Sequence, residues 1–228
     1  SAGRKTANNV ATIIVWATMI LAMIPLVWVL WELFARGAGA IFTPEWWTTS
    51  QRGILDTEAG GGALHAIIGT FVQTILATII SVPIGIFTAI YLVEYSRGGL
   101  LSRLTTFMVD ILSGVPSIVA ALFVFAMWIT LFGFERSGMA VALSLVLLMI
   151  PIVVRNTEEM LRVVPMDLRE AAYALGVPKW KTIARIVLPT ALSGIVTGIM
   201  LAVARVMGES APVLVLVGST SSINWDAM

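Results

Sequence analysis

Apolar blocks of membrane-spanning length, separated by short polar intervals, set the pattern of this chain. Residues 1–9 form a polar tail with Arg4 and Lys5, and residues 10–33 are apolar apart from two threonines and Glu32. At about 20 residues per crossing, that block spans a bilayer once. It is too long for the core of a signal peptide, and Trp28 and Trp31 stand near one end, where aromatic belts lie. Residues 34–63 are the one long polar connection. In it, Thr43-Pro44-Glu45 reads as a helix start and leads into Trp46 and Trp47, which predicts a short interfacial helix. Residues 64–93 form a second span with Pro83 and Gly85 inside it, and residues 94–103 form a short loop with Arg97 and Arg103. Residues 104–131 form a third span, interrupted at Ser113-Gly114-Val115-Pro116-Ser117. A fourth opens at residues 138–154 and continues through Pro151 and Arg155 toward Leu161. Residues 190–217 form a fifth, followed by a polar tail at 218–228. The pattern predicts an all-α polytopic membrane protein with five visible spans.

The longest polar interval of the C-terminal half, residues 167–189, is itself patterned. Asp167 followed by Glu170 reads as an N-cap with its capping-box partner. Good helix formers run to Leu175, Gly176 stands where a C′ residue turns the chain, and Pro178 suits the first turn of a second helix. The expected unit is a helical hairpin with Lys179, Lys181 and Arg185 on its second arm, a folded docking surface between two membrane-length segments.

Composition narrows the function. With 58% hydrophobic and 12% charged residues among 228, the chain departs from an ordinary soluble domain, which carries about a quarter charged residues. There is no cysteine and one histidine, so no disulfide framework is available and a zinc centre is not expected. No G-x-x-x-x-G-K-[ST] stretch occurs, so ATP hydrolysis is not expected of this chain. A net charge of +1 is uninformative, but its distribution is not. With the N-terminus inside, the cytoplasmic segments hold Arg4, Lys5, Arg97, Arg103, Arg162, Arg169, Lys179, Lys181 and Arg185. The outer segments hold Arg36, Arg52 and Arg136. The positive-inside rule therefore places the hairpin in the cytoplasm.

Charges left within the apolar blocks are Asp110, Arg155, Glu158, Glu159, Arg205 and Glu209. Each costs at least ~2.5 kcal/mol at the centre of a bilayer and needs a partner or a watery path. Arg205 and Glu209 are spaced i,i+4 on the fifth span, and Arg155 faces Glu158 or Glu159 on the fourth. Arg205 is expected roughly 22 Å along its helix, too deep to reach the interface. Ion pairs that stiffen the bundle are one reading. An anion path is the other, since a guanidinium keeps its charge when desolvated and matches phosphate oxygens with a planar fork. Ser113 and Ser117 are candidate hydroxyl donors to the same anion or, equally, local hydrogen bonds at a packing kink. An intramembrane enzyme built on Asp110 or Glu209 lacks a nucleophile–base pair and a metal cluster.

Several of these stretches resemble known signatures. Glu170-Ala171-Ala172, Gly176 and Ile186-x-Leu188-Pro189 stand at the spacing of the EAA loop of bacterial ABC importer permeases. Gly114-Val115-Pro116-Ser117-Ile118-Val119, Pro151-Ile152-Val153-Val154-Arg155-x-Thr157-Glu158-Glu159 and Ala204-Arg205-x-x-Gly208-Glu209-Ser210-Ala211-Pro212 resemble the phosphate-specific (Pst) ABC importer permeases, the last two the A-type subunit more than the C-type. Ser210 stands where that family often has threonine. The resemblance implies a type I ABC importer transmembrane domain (MetI-like) over residues 64–217, in the bacterial cytoplasmic membrane. It implies that Arg155, Glu158 and Arg205 serve transport of inorganic phosphate, to which Glu209 is added on its spacing. It further implies that Glu170, Ala171, Ala172 and Gly176 couple to an ATPase dimer, which binds the ATP and magnesium. The other implied partners are a C-type permease and an extracytoplasmic phosphate-binding protein. The family commonly has a sixth span, so the sequence is expected to stop short of it. Sulfate, molybdate or another small solute is the alternative cargo.

Overall fold

A computed structural model describes residues 2–54, 60–96, 98–218 and 220–221. Arg97 and most of the tail expected at 218–228 lie outside the described residues. Two compact units divide the chain, residues 1–64 and 65–228.

In the first unit, α1 runs Ala2–Ile41 and α2 runs Pro44–Thr48. The helix α1 extends past both ends of the expected span, taking in the polar tail and the residues up to Ile41. Its apolar side chains are exposed all along its length, as suits a helix solvated by lipid. Pro44 occupies the first turn of α2, as its fixed φ and missing N–H favour. Trp46 and Trp47 pack edge to face with centroids 4.7 Å apart, and Trp47 Nε1 donates to the Ile41 carbonyl at 2.8 Å.

The described residues of the second unit form helices joined by short turns. Helix α3, Leu64–Ile90, continues through a π-helical turn at Tyr91–Tyr95, so Glu94 belongs to the helix and not to the expected loop. Helices α4, Leu100–Gly114, and α5, Ser117–Val124, follow, and α5 is extended by a π-helical stretch, Phe125–Leu131. The expected third span is thus two arms bent by 108°. Pro116 forces the preceding residue out of the helical region, and Val115 is extended at φ −75°, ψ 125°. Each arm, at about 1.5 Å per residue, is shorter than a ~30 Å hydrocarbon core. Among the described residues, four helices are long and apolar enough to cross a membrane, and the count reaches five when the bent pair is one crossing.

Helix α6, Gly138–Val163, is the centre. It is capped by Ser137, whose hydroxyl accepts from the Ala140 N–H, and it is apolar on every side along its first half. One core joins its Val141, Leu145, Met149 and Val153 to Ala77 of α3 and Ala121 of α5. A second core, nearer its C-terminus, joins Val154 and Leu161 to Ala89, Val187, Ala191 and Ile195. Gly85 of α3 lies so close that an added Cβ would meet Val153 Cγ1 at 2.6 Å.

The expected hairpin and fifth span are organised differently from the sequence reading. Helix α7 covers Met166–Ala174. Helix α8, Lys179–Thr182, passes through a π-helical turn, Ile183–Val187, directly into α9, Leu188–Met207. The second arm and the last long span are therefore one continuous element, Lys179–Met207. The wide turn sits just ahead of Pro189, whose ring and missing N–H disrupt the regular ladder at the Arg185 carbonyl. A short α10, Ala211–Leu216, closes the described fold.

Candidate functional site

A charge ladder climbs one face of α6. Arg155 Nη1 donates to Glu158 Oε2 at 2.9 Å, and Arg162 Nη2 donates to Glu158 Oε1, one helical turn further on. The i,i+3 and i,i+4 spacings put the three groups in line. Asp110 of α4 joins from outside, its Oδ1 accepting from Arg155 Nη2. Exposure separates the two carboxylates. The Glu158 side chain is 7% exposed and held by two arginines, whereas Asp110 is 58% exposed and held by one. Arg155, at 34%, stands between them with a face open to a ligand. Glu159, the other expected partner of Arg155, points outward.

Arg205 and Glu209 do not form the expected pair. The α9 helix ends at Met207, Gly208 is its C-cap, and Glu209 lies in the break before α10. No ion pair or hydrogen bond joins their side chains among the described residues. The stop was written in the sequence: glycine weakens a helix, and Pro212 within the next turn cannot continue one. Arg205 consequently occupies the last turn of a helix, with its side chain exposed. Asn156 lies against Gly198 and Met160 against Gly194, so α6 and α9 are antiparallel. That register puts Arg205 about six residues beyond Arg155 along the pair, roughly 9 Å away from the hairpin end. The two arginines mark different depths. Ser113 donates its hydroxyl to the Asp110 carbonyl at 2.7 Å, a local bond at the bend, and Ser117 opens α5 without capping it.

At the hairpin, α7 begins one residue before the predicted cap. Pro165 is the N-cap, Asp167 falls within the first turn, and no side-chain capping bond forms. Asp167 still suits the positive end of the helix, but the capping box with Glu170 is absent. The other end matches the sequence. Gly176 adopts φ +73°, its N–H bonds the Tyr173 carbonyl at 2.9 Å, and Val177 N–H bonds the Ala172 carbonyl at 3.1 Å. This is a Schellman closure, and it requires the left-handed region that glycine enters freely. Pro178 then caps α8 from outside its first turn. Glu170 and Ala171 are exposed and Ala172 is buried, while Leu175 and Trp180 project an apolar tip at 83% and 64% exposure.

One buried residue of the hairpin was not anticipated. Arg169 donates from Nε and Nη2 to Glu94 Oε1 at 3.1 and 2.8 Å, and to the Val164 and Leu161 carbonyls at 2.7 and 2.9 Å. The sequence signal was present, since Glu94 is an acidic residue at the end of an apolar span, but its partner lies 75 residues away.

A family model described as "Binding-protein-dependent transport system inner membrane component" matches residues 81–224, which include the α6 ladder and the whole hairpin. The chain belongs to this family. The permease is 59% identical over 223 residues to phosphate transport system permease protein PstA 1 of Mycobacterium tuberculosis (strain ATCC 25618 / H37Rv), covering 98% of this chain and 72% of that one. It is 56% identical over 226 residues to the PstA protein of Mycobacterium leprae (strain TN), covering 99% and 74%. For the Yersinia pestis PstA protein the identity is 42% over 217 residues, covering 93% and 71%. An inward-facing crystal form of the MetNI methionine ABC transporter shares the fold at a TM-score of 0.55 and 23% identity, over 67% of this chain and 71% of that one. The permease is thus an all-α, multi-pass membrane protein with a MetI-like fold.

Proposed function

We propose that the permease is the A-type membrane subunit of an ATP-driven importer of inorganic phosphate, with its N-terminus in the cytoplasm. It forms half of the translocation path with a C-type permease, receives phosphate from an extracytoplasmic binding protein, and is driven by an ATPase dimer docked on the hairpin. Relatives named as phosphate transport permeases, at 59% identity over nearly the whole chain, support the cargo. The observation that carries the reading is Arg155, a half-buried guanidinium whose second carboxylate comes from a different helix.

The chemistry follows from that arrangement. Glu158 is neutralised by Arg162 as well as by Arg155, so it remains in place when an anion arrives. Asp110 is exposed and singly held, so phosphate oxygens displace it from the guanidinium fork. Its return helps release the cargo. Arg205, at another depth on the α6–α9 pair, supplies a second pause. Glu170, Ala171 and Gly176 lie on the face that meets the ATPase, with Leu175 and Trp180 at its tip, and the buried Ala172 packs beneath it.

The test is uptake of labelled inorganic phosphate by membranes carrying the whole transporter. Arg155→Gln and Arg205→Gln are each expected to lower uptake on the order of a hundredfold while the assembly still forms, as loss of about 2–3 kcal/mol of charge-assisted binding implies. Unchanged uptake by both variants removes the arginines from the path. Displacement of the label by sulfate or molybdate as effective as by phosphate assigns another oxyanion as cargo. Asp110→Asn is expected to tighten phosphate retention, roughly fivefold, and to slow turnover, because the competing charge is gone. Unaltered retention by that variant contradicts the exchange.

A further inference from the structure

We propose that Arg169, through its buried pair with Glu94, is the positioning residue that carries movement of the hairpin into the membrane spans. The inference rests on the coupling role proposed above and names the link inside the chain.

Arg169 directly precedes Glu170-Ala171-Ala172 and turns the opposite way. Glu170 and Ala171 are exposed to a partner, while the Arg169 and Glu94 side chains are 8% and 5% exposed. Only Arg169 and Ala172 of α7 are buried, so this guanidinium is the main polar anchor of the first arm. Its contacts reach two other elements. The Leu161 and Val164 carbonyls belong to the end of α6, where backbone acceptors lack partners inside the helix, and the guanidinium closes that end. Glu94 belongs to the π-helical turn that ends the α3 span. The second arm grips the same turn, because Lys179 Nζ donates to the Glu94 carbonyl and lies 5.1 Å from the Tyr95 ring centroid. Both arms of the hairpin are therefore tied to Glu94–Tyr95, one to its carboxylate and one to its backbone.

A buried pair held by several hydrogen bonds does not slip, since separating it strands a charge without solvent. A push on α7 is transmitted to the ends of α3 and α6 together. Arg162 stands in the last turn of α6, with Glu158 and Arg155 about one and two turns before it, so the link leads from the ATPase face to the charge ladder. A π-helical turn suits the receiving end, being a region where a helix readjusts its register.

The experiment uses the complete transporter, reconstituted with its partner permease, ATPase and binding protein, and reads inorganic phosphate uptake and ATP hydrolysis side by side. Arg169→Met and Glu94→Gln are each expected to hydrolyse ATP while phosphate moved per ATP falls on the order of tenfold, within the ordinary span of coupling energies. Lys179→Met is expected to give a smaller fall in the same ratio. An unchanged ratio in the assembled variants overturns the proposal. A loss of uptake and hydrolysis in proportion, tracking the amount of assembled subunit, also overturns it by showing a purely structural pair. Glu94→Gln keeps the volume and the acceptor, so it decides the matter if Arg169→Met fails to assemble. Absence of phosphate uptake in the unmodified complex sinks the importer reading itself, and the pair's role with it.

Discussion

Gly198→Val is expected to remove most of the folded permease from the membrane. Gly194 and Gly198 are four residues apart on α9, so both face α6, where the backbone approaches its neighbour closely. A Cβ at 198 would overlap the whole side-chain amide of Asn156, and one at 194 would overlap Met160 Sδ. The two sites differ in how much they can yield. Met160 has a flexible thioether end, whereas Asn156 is short and its Oδ1 is buried without a partner. Valine adds two methyl groups beyond the Cβ, and overpacking of this kind costs about 1–3 kcal/mol or more. In a bilayer that cost is hard to offset, because lipid is as apolar as the interface and close packing is what holds the helices together. The loss also falls on the most extensive helix pair of the fold. The measurement is the yield and melting temperature of the subunit in mild detergent. Met200→Val, on an exposed side of the same helix, is expected to change neither. A Gly198→Val subunit with parental yield and melting temperature would show that α6 and α9 do not meet here.

How far this could be read from residues alone depends on the range of each signal. Span length and apolar composition are local, so the long helices were legible. The 108° bend was legible as a break at Pro116, but not as an angle, which depends on what the two arms pack against. The turn at Gly176 was read correctly because a left-handed residue leaves a local signature. The cap at Asp167 was not, because Pro165 had already set an extended backbone and started the helix earlier. The Arg205–Glu209 pair failed for a related reason: i,i+4 spacing implies contact only on an unbroken helix, and Gly208 ends this one. Asp110 was visible as a charge inside an apolar segment, which announces the need for a partner, whereas Glu94 was read as the start of a loop. The partners themselves, Arg155 and Arg169, stand 45 and 75 residues away, and only the packing of α4 on α6 and of α7 on the end of the α3 span brings them together.

Gly176→Val is expected to leave the permease inserted and to abolish ATP-driven phosphate uptake. No atom lies within 4 Å of a Cβ added at 176, so the penalty is conformational and not a collision. At φ +73° an L-residue costs about 1–2 kcal/mol, and a β-branched one fits least well. Relieving that strain means abandoning the left-handed turn. With it go the Val177-to-Ala172 and Gly176-to-Tyr173 bonds, which close α7 and aim the chain into α8. The cores around α6 do not include this turn, so insertion and overall stability change little. The face offered to the ATPase changes a great deal, because Leu175 and Trp180 stand on either side of the turn. A graded series separates this account from a general surface effect. Asparagine tolerates the left-handed region, alanine less so and valine least, so uptake is expected to fall in the order Gly, Asn, Ala, Val. Membrane content should stay level across the series, since the strain is local. Equal uptake by all four would mean that the turn is not what the ATPase reads. A fall in membrane content matching the fall in uptake would move the effect of Gly176 from coupling to folding.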